Sequence, residues 1–279
     1  MTSTPEVSRP ARPASDTPSR RKTVERPLPS RYVMIGLQIG IILAFFAYWE
    51  IGTRTGHISK FLFASPSSIL EVLMRRIETG QLLNDVYTTV METVIGFTVG
   101  AVGGSIIGLA LWYSRFVFHL AAPFITAIGS IPVLAIAPIT IIWFGTDVLS
   151  KIVIVAFSCV VVSLTTSYRG AQRTDPDLIN LMRSFNATRT QIFFKLVIPA
   201  SMPWVFSGLT LNVGFALIGA IVAEYISSDA GVGNMILLGS SNFGMNIVLA
   251  GVVLVMAIML ALTFIVSLIE RAVLSWEKE

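Results

Sequence analysis

The sequence predicts an all-α integral membrane protein with six transmembrane helices. Of its 279 residues, 54% are hydrophobic and only 13% are charged, whereas soluble domains average about 25% charged residues. The mean hydropathy is +0.76. Several apolar runs reach about 20 residues, the length that an α-helix needs to cross a bilayer. These observations exclude an ordinary soluble domain.

Among the connections of the six predicted spans, the only sizeable cytosolic one lies between the fourth and the fifth, and an external segment, residues 58–84, lies between the first and the second. The third span contains three prolines, and because proline frees carbonyl groups and bends helices, it is predicted to form either a gate or cavity wall or a static kink. The predicted spans cover residues 32–51, 86–113, a proline-rich stretch beginning after 114–115, then 149–167, 203–226 and 247–268.

Residues 1–30 are predicted to form a disordered cytosolic tail, and residues 31–279 the transmembrane domain. The tail is rich in proline, serine, threonine and arginine, a composition that cannot bury a core. It has no short apolar segment followed by a cleavage site, so it is not predicted to be a signal peptide.

The basic residues predict that both termini lie in the cytosol, because Lys and Arg accumulate on the cytosolic side of membrane proteins. Fifteen of the twenty basic residues fall on predicted inner segments. Those on predicted outer segments are Arg54, Lys60, Arg75, Arg76 and Lys151.

Two features of the second span indicate its surroundings. Gly96, Gly100, Gly104 and Gly108 recur every four residues, which favours close packing against another helix over the lining of a pore. Glu92 is an ionisable residue near the outer end, where it reaches either interfacial water or an aqueous cavity.

The fifth span carries one small and polar face. Gly208, Asn212, Ala216, Ala220 and Glu224 recur at four-residue spacing, and polar groups inside a bilayer usually face the bundle or water. Asn212, Ala216 and Glu224 are therefore candidate pathway residues. In the alternative interpretation, Asn212 makes an interhelical hydrogen bond and Glu224 lies at the interface.

No catalytic, cofactor-binding or metal-binding residue is predicted. The sequence contains no G-x-x-x-x-G-K-[ST] motif and no Gly-Lys dipeptide, so it has no phosphate loop for ATP. His57 and His119 are too far apart in sequence to suggest a metal site, and Cys159 in an apolar run is predicted to fill space. The charge of +4 is attributed to topology, with no nucleic-acid partner.

The segment 175–199, between the fourth and fifth spans, predicts two short helices joined by a tight turn. Asp175 is a suitable N-cap and Pro176 fits the first helical position. The first helix is predicted to end at Phe185, followed by Asn186, which tolerates a left-handed backbone.

The second short helix has its own start and stop signals. Thr188 and Gln191 have the spacing of a capping box, in which side chain and backbone bond reciprocally. Pro199 is predicted to keep this helix from continuing normally.

This segment resembles the EAA loop of permease subunits of ATP-binding-cassette (ABC) importers. That loop has the pattern Glu-Ala-Ala, three residues, Gly, nine residues, Ile-x-Leu-Pro. Here the frame holds Asn180-Leu181-Met182, then Asn186, then Leu196-Val197-Ile198-Pro199. The spacing is intact, and Asn in place of Gly keeps a residue that enters left-handed conformations.

The resemblance extends over residues 60–270, including the stretch 131–145, and is greatest to permeases that import nitrate, taurine or alkanesulfonates. It implies a type I ABC importer permease fold and alternating access for a small anionic solute of the nitrate, sulfonate, taurine or bicarbonate type. Relatives also carry thiamine-precursor pyrimidines. The implied location is the bacterial inner membrane.

The resemblance also implies partners and contact residues. The partners are two cytosolic ABC ATPase subunits that bind the ATP, a second permease copy or paralogue, an external substrate-binding protein and the lipid bilayer. Within a cytosolic coupling loop, residues 169–202, the implied ATPase contacts are Arg183, Ser184, Phe185, Asn186 and Ala187.

Three other hypotheses remain open from the sequence. The chain could be a transporter or channel driven by an ion gradient, for which Glu92 and Glu224 are a weak signature. It could be a non-transporting membrane anchor, or the EAA-like spacing could belong to a structural loop. Co-purification of an ATPase distinguishes the importer from the others.

Overall fold

A computed structural model of the chain describes residues 31–274, and every regular element within them is helical. The tail over residues 1–30, with its predicted disorder, lies outside the described residues. The chain divides into two units, Met1–Phe45 and Phe46–Glu279. Helix α1 begins in the first unit and ends in the second.

Thirteen α-helices form the described part of the chain, with a 3₁₀ segment at Leu111–Tyr113 and π-helical segments at Thr98–Val102 and Phe193–Val197. The α-helices are α1 Arg31–Arg54, α2 Lys60–Phe63, α3 Pro66–Glu78, α4 Gln81–Phe97, α5 Gly103–Ala110, α6 Arg115–Gly129, α7 Val133–Phe144, α8 Val148–Gln172, α9 Pro176–Ser184, α10 Arg189–Ile192, α11 Ile198–Ser227, α12 Val232–Ser241 and α13 Met245–Val273.

Within residues 31–274, five continuous helical stretches are long and apolar enough to cross a membrane. A sixth apolar stretch is the pair α6 and α7, which is bent by 92° at its junction. Pro132 precedes α7 at this junction, and the residue before a proline is disfavoured in helical conformation. The five continuous stretches are Tyr32–Arg54, Gln81–Tyr113, Val148–Gln172, Arg189–Ser227 and Met245–Val273.

The glycine ladder packs against α8. A Cβ atom at Gly104 would lie 2.5 Å from the carbonyl oxygen of Val160, and one at Gly108 would meet the backbone of Leu164. The predicted packing role of the ladder is therefore confirmed, since only glycine lets the two backbones approach this closely.

The same contacts give the direction of each crossing. Along the ladder the partner residues rise with the glycines, from Ile152 and Val155 opposite Gly96 to Leu164 opposite Gly108. The Gln81–Tyr113 stretch and α8 therefore run in the same direction. The chain between them must cross the bilayer once, so α6 and α7 form one broken crossing, in agreement with six predicted spans.

The contacts of α11 and α13 give the directions in which the last two long helices cross. Helix α11 runs antiparallel to α8, because Gly208 packs on Thr166 whereas Gly219 packs on Ser158. Helix α13 packs on α11 through a cluster that includes Leu217 and Ile258. The bundle thus has one end that carries α9 and α10, called here the α9 end, and an opposite end that carries α3 and α12, the α12 end.

The predicted interruption at Pro199 takes the form of a π-helical segment. Residues Phe193–Val197 leave α geometry, and α11 then begins at Ile198 with Pro199 in its first turn. Proline lacks an N–H group, and the first turn of a helix is where that loss is tolerated. The backbone therefore stays helical from Arg189 to Ser227, so the helix that contains the fifth span begins well before the predicted residue 203.

Candidate functional site

Helix α9 begins with the predicted N-cap. The Oδ1 atom of Asp175 accepts a hydrogen bond from the backbone N–H of Asp177 at 2.8 Å, and Pro176 occupies the first turn. This bond satisfies one of the free N–H groups that every helix N-terminus carries. The start of α9 is therefore determined by its own sequence.

The turn after α9 depends on Asn186. Its φ angle is +56°, so the predicted left-handed conformation is confirmed. The N–H of Ala187 donates to the carbonyl of Met182 at 3.0 Å, and the N–H of Asn186 donates to that of Arg183 at 2.9 Å. These two bonds form a Schellman motif, the standard left-handed ending of a helix.

Helix α10 starts with the predicted capping box. The N–H of Gln191 donates to the Thr188 hydroxyl at 3.3 Å, and the N–H of Thr188 donates to the Gln191 side-chain oxygen at 2.8 Å. Only Ala187 separates this box from the turn at Asn186. Local hydrogen bonds therefore hold residues 175–192, the α9–α10 element, in one conformation.

The α9–α10 element is attached to the end of the second span through Arg189. The guanidinium donates to the carbonyl oxygen of Tyr113 at 2.5 Å and lies 5.7 Å from the Trp112 ring centroid. Phe193 packs against both rings, with centroid distances of 5.6 Å to Trp112 and 4.7 Å to Tyr113. Since aromatic contacts of this kind add to burial, the element is fixed to the bundle.

The opposite side of α9 presents an apolar surface that nothing within residues 31–274 covers. Leu178, Leu181 and Phe185 are 45%, 51% and 77% exposed, and their spacing of three and four residues places them on one helix face. Ile179 and Met182 pack toward the bundle. We call Leu178, Leu181 and Phe185 the docking face.

Only part of this surface was predicted from the sequence. Phe185 was identified as a contact residue but Leu178 and Leu181 were not, although their helical spacing was visible. Arg183, Ser184 and Asn186 are also exposed, and Ala187 is half-buried. The structure thus brings the five predicted contact residues together at one helix end.

The candidate pathway residues of α11 lie inside the bundle. Asn212 is fully buried, and its Nδ2 atom donates to the Ser163 hydroxyl of α8 at 2.5 Å. Ala216 is buried in an apolar cluster with Val155 and Cys159. The structure therefore shows the interhelical hydrogen bond of Asn212 that the alternative interpretation described, and the pathway role of these residues stays a prediction.

Glu224 is also fully buried, where it joins three helices. Its Oε1 atom accepts a hydrogen bond from the Thr89 hydroxyl at 2.6 Å, and its Oε2 atom accepts one from the Gly233 N–H at 2.5 Å. Thr89 belongs to α4 and Gly233 to α12. A buried carboxylate with such partners stabilises the arrangement of the helices that supply them.

Asp85 and a second bond of Thr89 complete the hydrogen bonding at the start of α12. The Asp85 Oδ1 atom accepts from the Gly231 N–H at 3.1 Å, and the Thr89 hydroxyl oxygen accepts from the Val232 N–H at 2.9 Å. Asp85 also pairs with Arg76 at 2.9 Å. The N–H groups of Gly231, which precedes α12, and of its first two residues are thus bonded by other helices, and no local sequence signal predicted this.

A cavity of about 810 Å³ opens at the α12 end beside the bent pair. Glu92, Lys151 and Pro138 contribute to its lining. The Lys151 Nζ atom lies 3.4 Å from Glu92 Oε1 and donates to the Ser228 hydroxyl at 3.1 Å. Of the two surroundings predicted for Glu92, the structure shows a cavity, which we call the α12-end cavity.

Comparison with known proteins decides the family. A family profile described as "Binding-protein-dependent transport system inner membrane component" matches residues 100–275, more than half of the chain. The chain belongs to this family.

Several relatives agree with this assignment. The aliphatic sulfonates transport permease protein SsuC of Bacillus subtilis is 27% identical over 268 residues, covering 95% of this chain and 97% of that protein. The formylaminopyrimidine transport permease protein ThiX of Halalkalibacterium halodurans is 29% identical over 187 residues, covering 66% of this chain and 73% of that protein.

A solved structure shows the same fold. An inward-facing form of the MetNI methionine ABC transporter matches with a TM-score of 0.61 and 19% identity, covering 70% of this chain and 97% of that chain. The predicted type I ABC importer permease fold is therefore confirmed.

The family also establishes the general activity. This binding-protein-dependent permease is the membrane-spanning transport subunit of an ATP-driven importer, so the hypotheses of an ion-gradient transporter and of a simple anchor are set aside. The family implies an ATPase that uses the ATP and a substrate-binding protein as partners.

Proposed function

We propose that the α9–α10 element transmits the movement of a cytosolic ATPase to the transport pathway. Arg183, Ser184, Phe185, Asn186 and Ala187 then contact the ATPase, together with Leu178 and Leu181. The observation that carries the proposal is the docking face, an exposed apolar surface on a helix whose both ends are capped. A short helix transmits displacement to its partner only when it is itself rigid and seated.

The orientation follows from the same assignment. The α9 end lies in the cytosol, where ATP is, and it carries the arginines that the positive-inside rule places there. Helix α13 ends on this side, and with six crossings both termini lie in the cytosol of a bacterium, bounded by its inner membrane. These arginines are Arg115, Arg169, Arg173, Arg183 and Arg189.

The complete importer contains two permeases, two ATPases and an external substrate-binding protein. One six-span chain encloses little volume for a pathway, and a two-fold pair is the commonest oligomer. Large apolar side chains exposed along α13, among them Met256, Leu260 and Phe264, are available to lipid or to the second permease.

The solute is a small anion of the nitrate, sulfonate, taurine or bicarbonate type. The support for this is the sulfonates permease SsuC among the relatives. The α12-end cavity does not itself favour an anion, because its described lining residues include three acids, Glu92, Asp147 and Asp229, and one cation, Lys151. Selection of the anion is therefore assigned to the external binding protein.

The test of coupling is the substitution Phe185→Ala, measured by uptake and by pull-down of the ATPase from matched membranes. If Phe185 is a hot spot, its loss weakens docking by about 2–4 kcal/mol and abolishes ATP-dependent uptake, while membrane insertion is unchanged. Phe116→Ala is the matched control, because Phe116 is 76% exposed but lies outside the element. Normal coupling in the Phe185 variant would return the element to a structural loop.

A further inference from the structure

A second cavity, of about 530 Å³, lies at the α9 end between the α9–α10 element and the ends of the second and fourth spans. We call it the α9-end cavity. Its lining is basic and aromatic. The lining residues that matter for its chemistry are Trp112, Tyr113, Arg115, Thr174, Arg183 and Arg189.

The positive charge of this cavity has no counter-charge within its walls. None of the described residues that line it is acidic. Arg115 and Arg183 have no ion-pair partner in the described part of the chain, and Arg189 donates to the Tyr113 carbonyl, which is neutral. Asp175 is adjacent in sequence, but its side chain caps α9. Clustered cations with no acid between them attract an anion.

Thr174 provides an independent observation. The residue lines the cavity and is 5% exposed, and within residues 31–274 its buried hydroxyl has no hydrogen-bond partner. Buried hydroxyl groups are nearly always bonded, because leaving one unpaired costs free energy. An anionic ligand would satisfy both groups, because one of its oxygens can accept from the Thr174 hydroxyl while its charge compensates that of the arginines.

We propose that the α9-end cavity binds a phosphate group, supplied by the headgroup of an anionic lipid or by a free phosphate ion. Arginine forks match phosphate oxygens, and basic pockets between helices on the cytoplasmic side bind lipid headgroups. Trp112 and Tyr113 suit the membrane interface, where one end of the ring is apolar and the other wet. This assignment rests on the cytosolic orientation proposed above.

The position of the cavity gives the ligand a role. Arg183 and Arg189 belong to the α9–α10 element, whereas Arg115 begins α6 and Thr174 follows α8. One phosphate group bonded to both sets ties the element to the spans. Its binding therefore stiffens the connection through which the ATPase acts, and makes coupling depend on the anion content of the membrane or cytosol.

The experiment measures retention of phosphatidylglycerol and phosphatidylcholine with identical acyl chains on the purified full chain, by native mass spectrometry. Phosphatidylglycerol is expected to be retained in excess, and Arg115→Gln to reduce that excess about fivefold, as expected for one basic residue near a lipid phosphate. Thr174→Val also reduces it, whereas Thr174→Ser, which keeps the hydroxyl, does not. Arg75→Gln on exposed α3 is the control.

A second arm distinguishes the two sources of phosphate. If inorganic phosphate at millimolar concentration displaces the lipid, and the same variants weaken the binding of phosphate, the ligand is the free ion. If phosphate does not displace the lipid, the ligand is the lipid headgroup. Equal retention of the two lipids without phosphate binding, or an excess unchanged by both Arg115→Gln and Thr174→Val, would overturn the proposal. Failure of the ATPase coupling would instead show in the pull-down, where no lipid is measured.

Discussion

The carboxylate of Glu224 and the hydroxyl of Thr89 lie 2.6 Å apart although 135 positions separate them in the chain. This bond joins the second span to the fifth at the α12 end. Because the same carboxylate also accepts from the Gly233 N–H, it holds the start of α12 against both spans. A buried charged acceptor with two donors makes this end of the bundle depend on one side chain.

We expect Glu224→Leu to lower the free energy of unfolding by about 1–3 kcal/mol, because it leaves one buried donor unpaired. That donor is the Gly233 N–H, since the Thr89 hydroxyl can still donate to the Asp85 carbonyl oxygen at 3.1 Å. The measurement is thermal unfolding of the purified protein in detergent. Glu71→Leu, at an exposed position of α3, is the matched control, and equal midpoints for the two variants would contradict the expected role.

Gly104 and its neighbour Gly103 offer a sharp test of the glycine ladder. A Cβ at Gly104 would lie 2.5 Å from the Val160 carbonyl, whereas a Cβ at Gly103 meets nothing within 4 Å. Gly104→Leu is therefore expected to force α8 away and lose at least about 1–3 kcal/mol of stability, along with uptake. Gly103→Leu makes the same change of residue in open space and should leave both the stability and the uptake nearly unchanged. Comparable behaviour of the pair would show that the ladder is not an interface.

Asn186 is expected to accept glycine and to reject valine. Its φ of +56° suits glycine, whereas a β-branched residue there costs about 1–3 kcal/mol of strain. Asn186→Val should therefore unfold the turn and reduce ATPase pull-down, while Asn186→Gly retains it. Equal binding by both variants would mean that the conformation of this turn does not matter for docking.

We expect the loss of Lys151 alone to destabilise the protein more than the loss of both Lys151 and Glu92. Lys151→Met leaves the buried Glu92 carboxylate without its cation. The free energy of unfolding should fall by up to about 3 kcal/mol, which is the lower end of the range for buried pairs, because this pair borders a cavity. The double variant Lys151→Met with Glu92→Gln should recover much of that loss. Unfolding midpoints of the two single variants and the double variant measure this coupling, and strict additivity would show that the two residues do not interact.

The orientation can be tested with an impermeant thiol reagent. Ser184→Cys is exposed at the α9 end and should be labelled only from the cytosolic side, whereas Thr79→Cys, exposed at the α12 end, should be labelled only from outside. The native Cys159 is fully buried and gives a low background. Labelling of Ser184→Cys from outside would reverse the topology and remove the basis of the coupling proposal.

The features that were predicted best from the sequence are those whose physical cause is local. The left-handed Asn186, the N-cap Asp175 and the capping box of Thr188 each act within five residues of themselves. The packing role of the glycine ladder was also predictable from the sequence, because glycines at four-residue spacing in a membrane helix form a smooth stripe that favours close helix packing.

The remaining features come from contacts between distant parts of the chain. Asp85 and Thr89 bond to α12 across more than 140 positions, so nothing near them in sequence marks their role. The 92° bend between α6 and α7 shows the same limit: the prolines predicted a disturbance, but its size depends on how neighbouring helices pack.

The unbroken helical backbone from Arg189 to Ser227 has a mechanical consequence. At about 1.5 Å per residue, its 39 residues make a rod of roughly 60 Å, longer than a bilayer is thick. Near one end, Arg189 donates a hydrogen bond to the Tyr113 carbonyl, and near the other end Glu224 accepts one from Thr89. A push on Arg189 must either tilt the whole rod or flex it where the hydrogen-bond ladder is irregular, at Phe193–Val197 and Pro203. In the coupling proposed above, the stiffness of these two irregular segments determines how much of a displacement at the cytosolic face reaches the opposite face of the membrane.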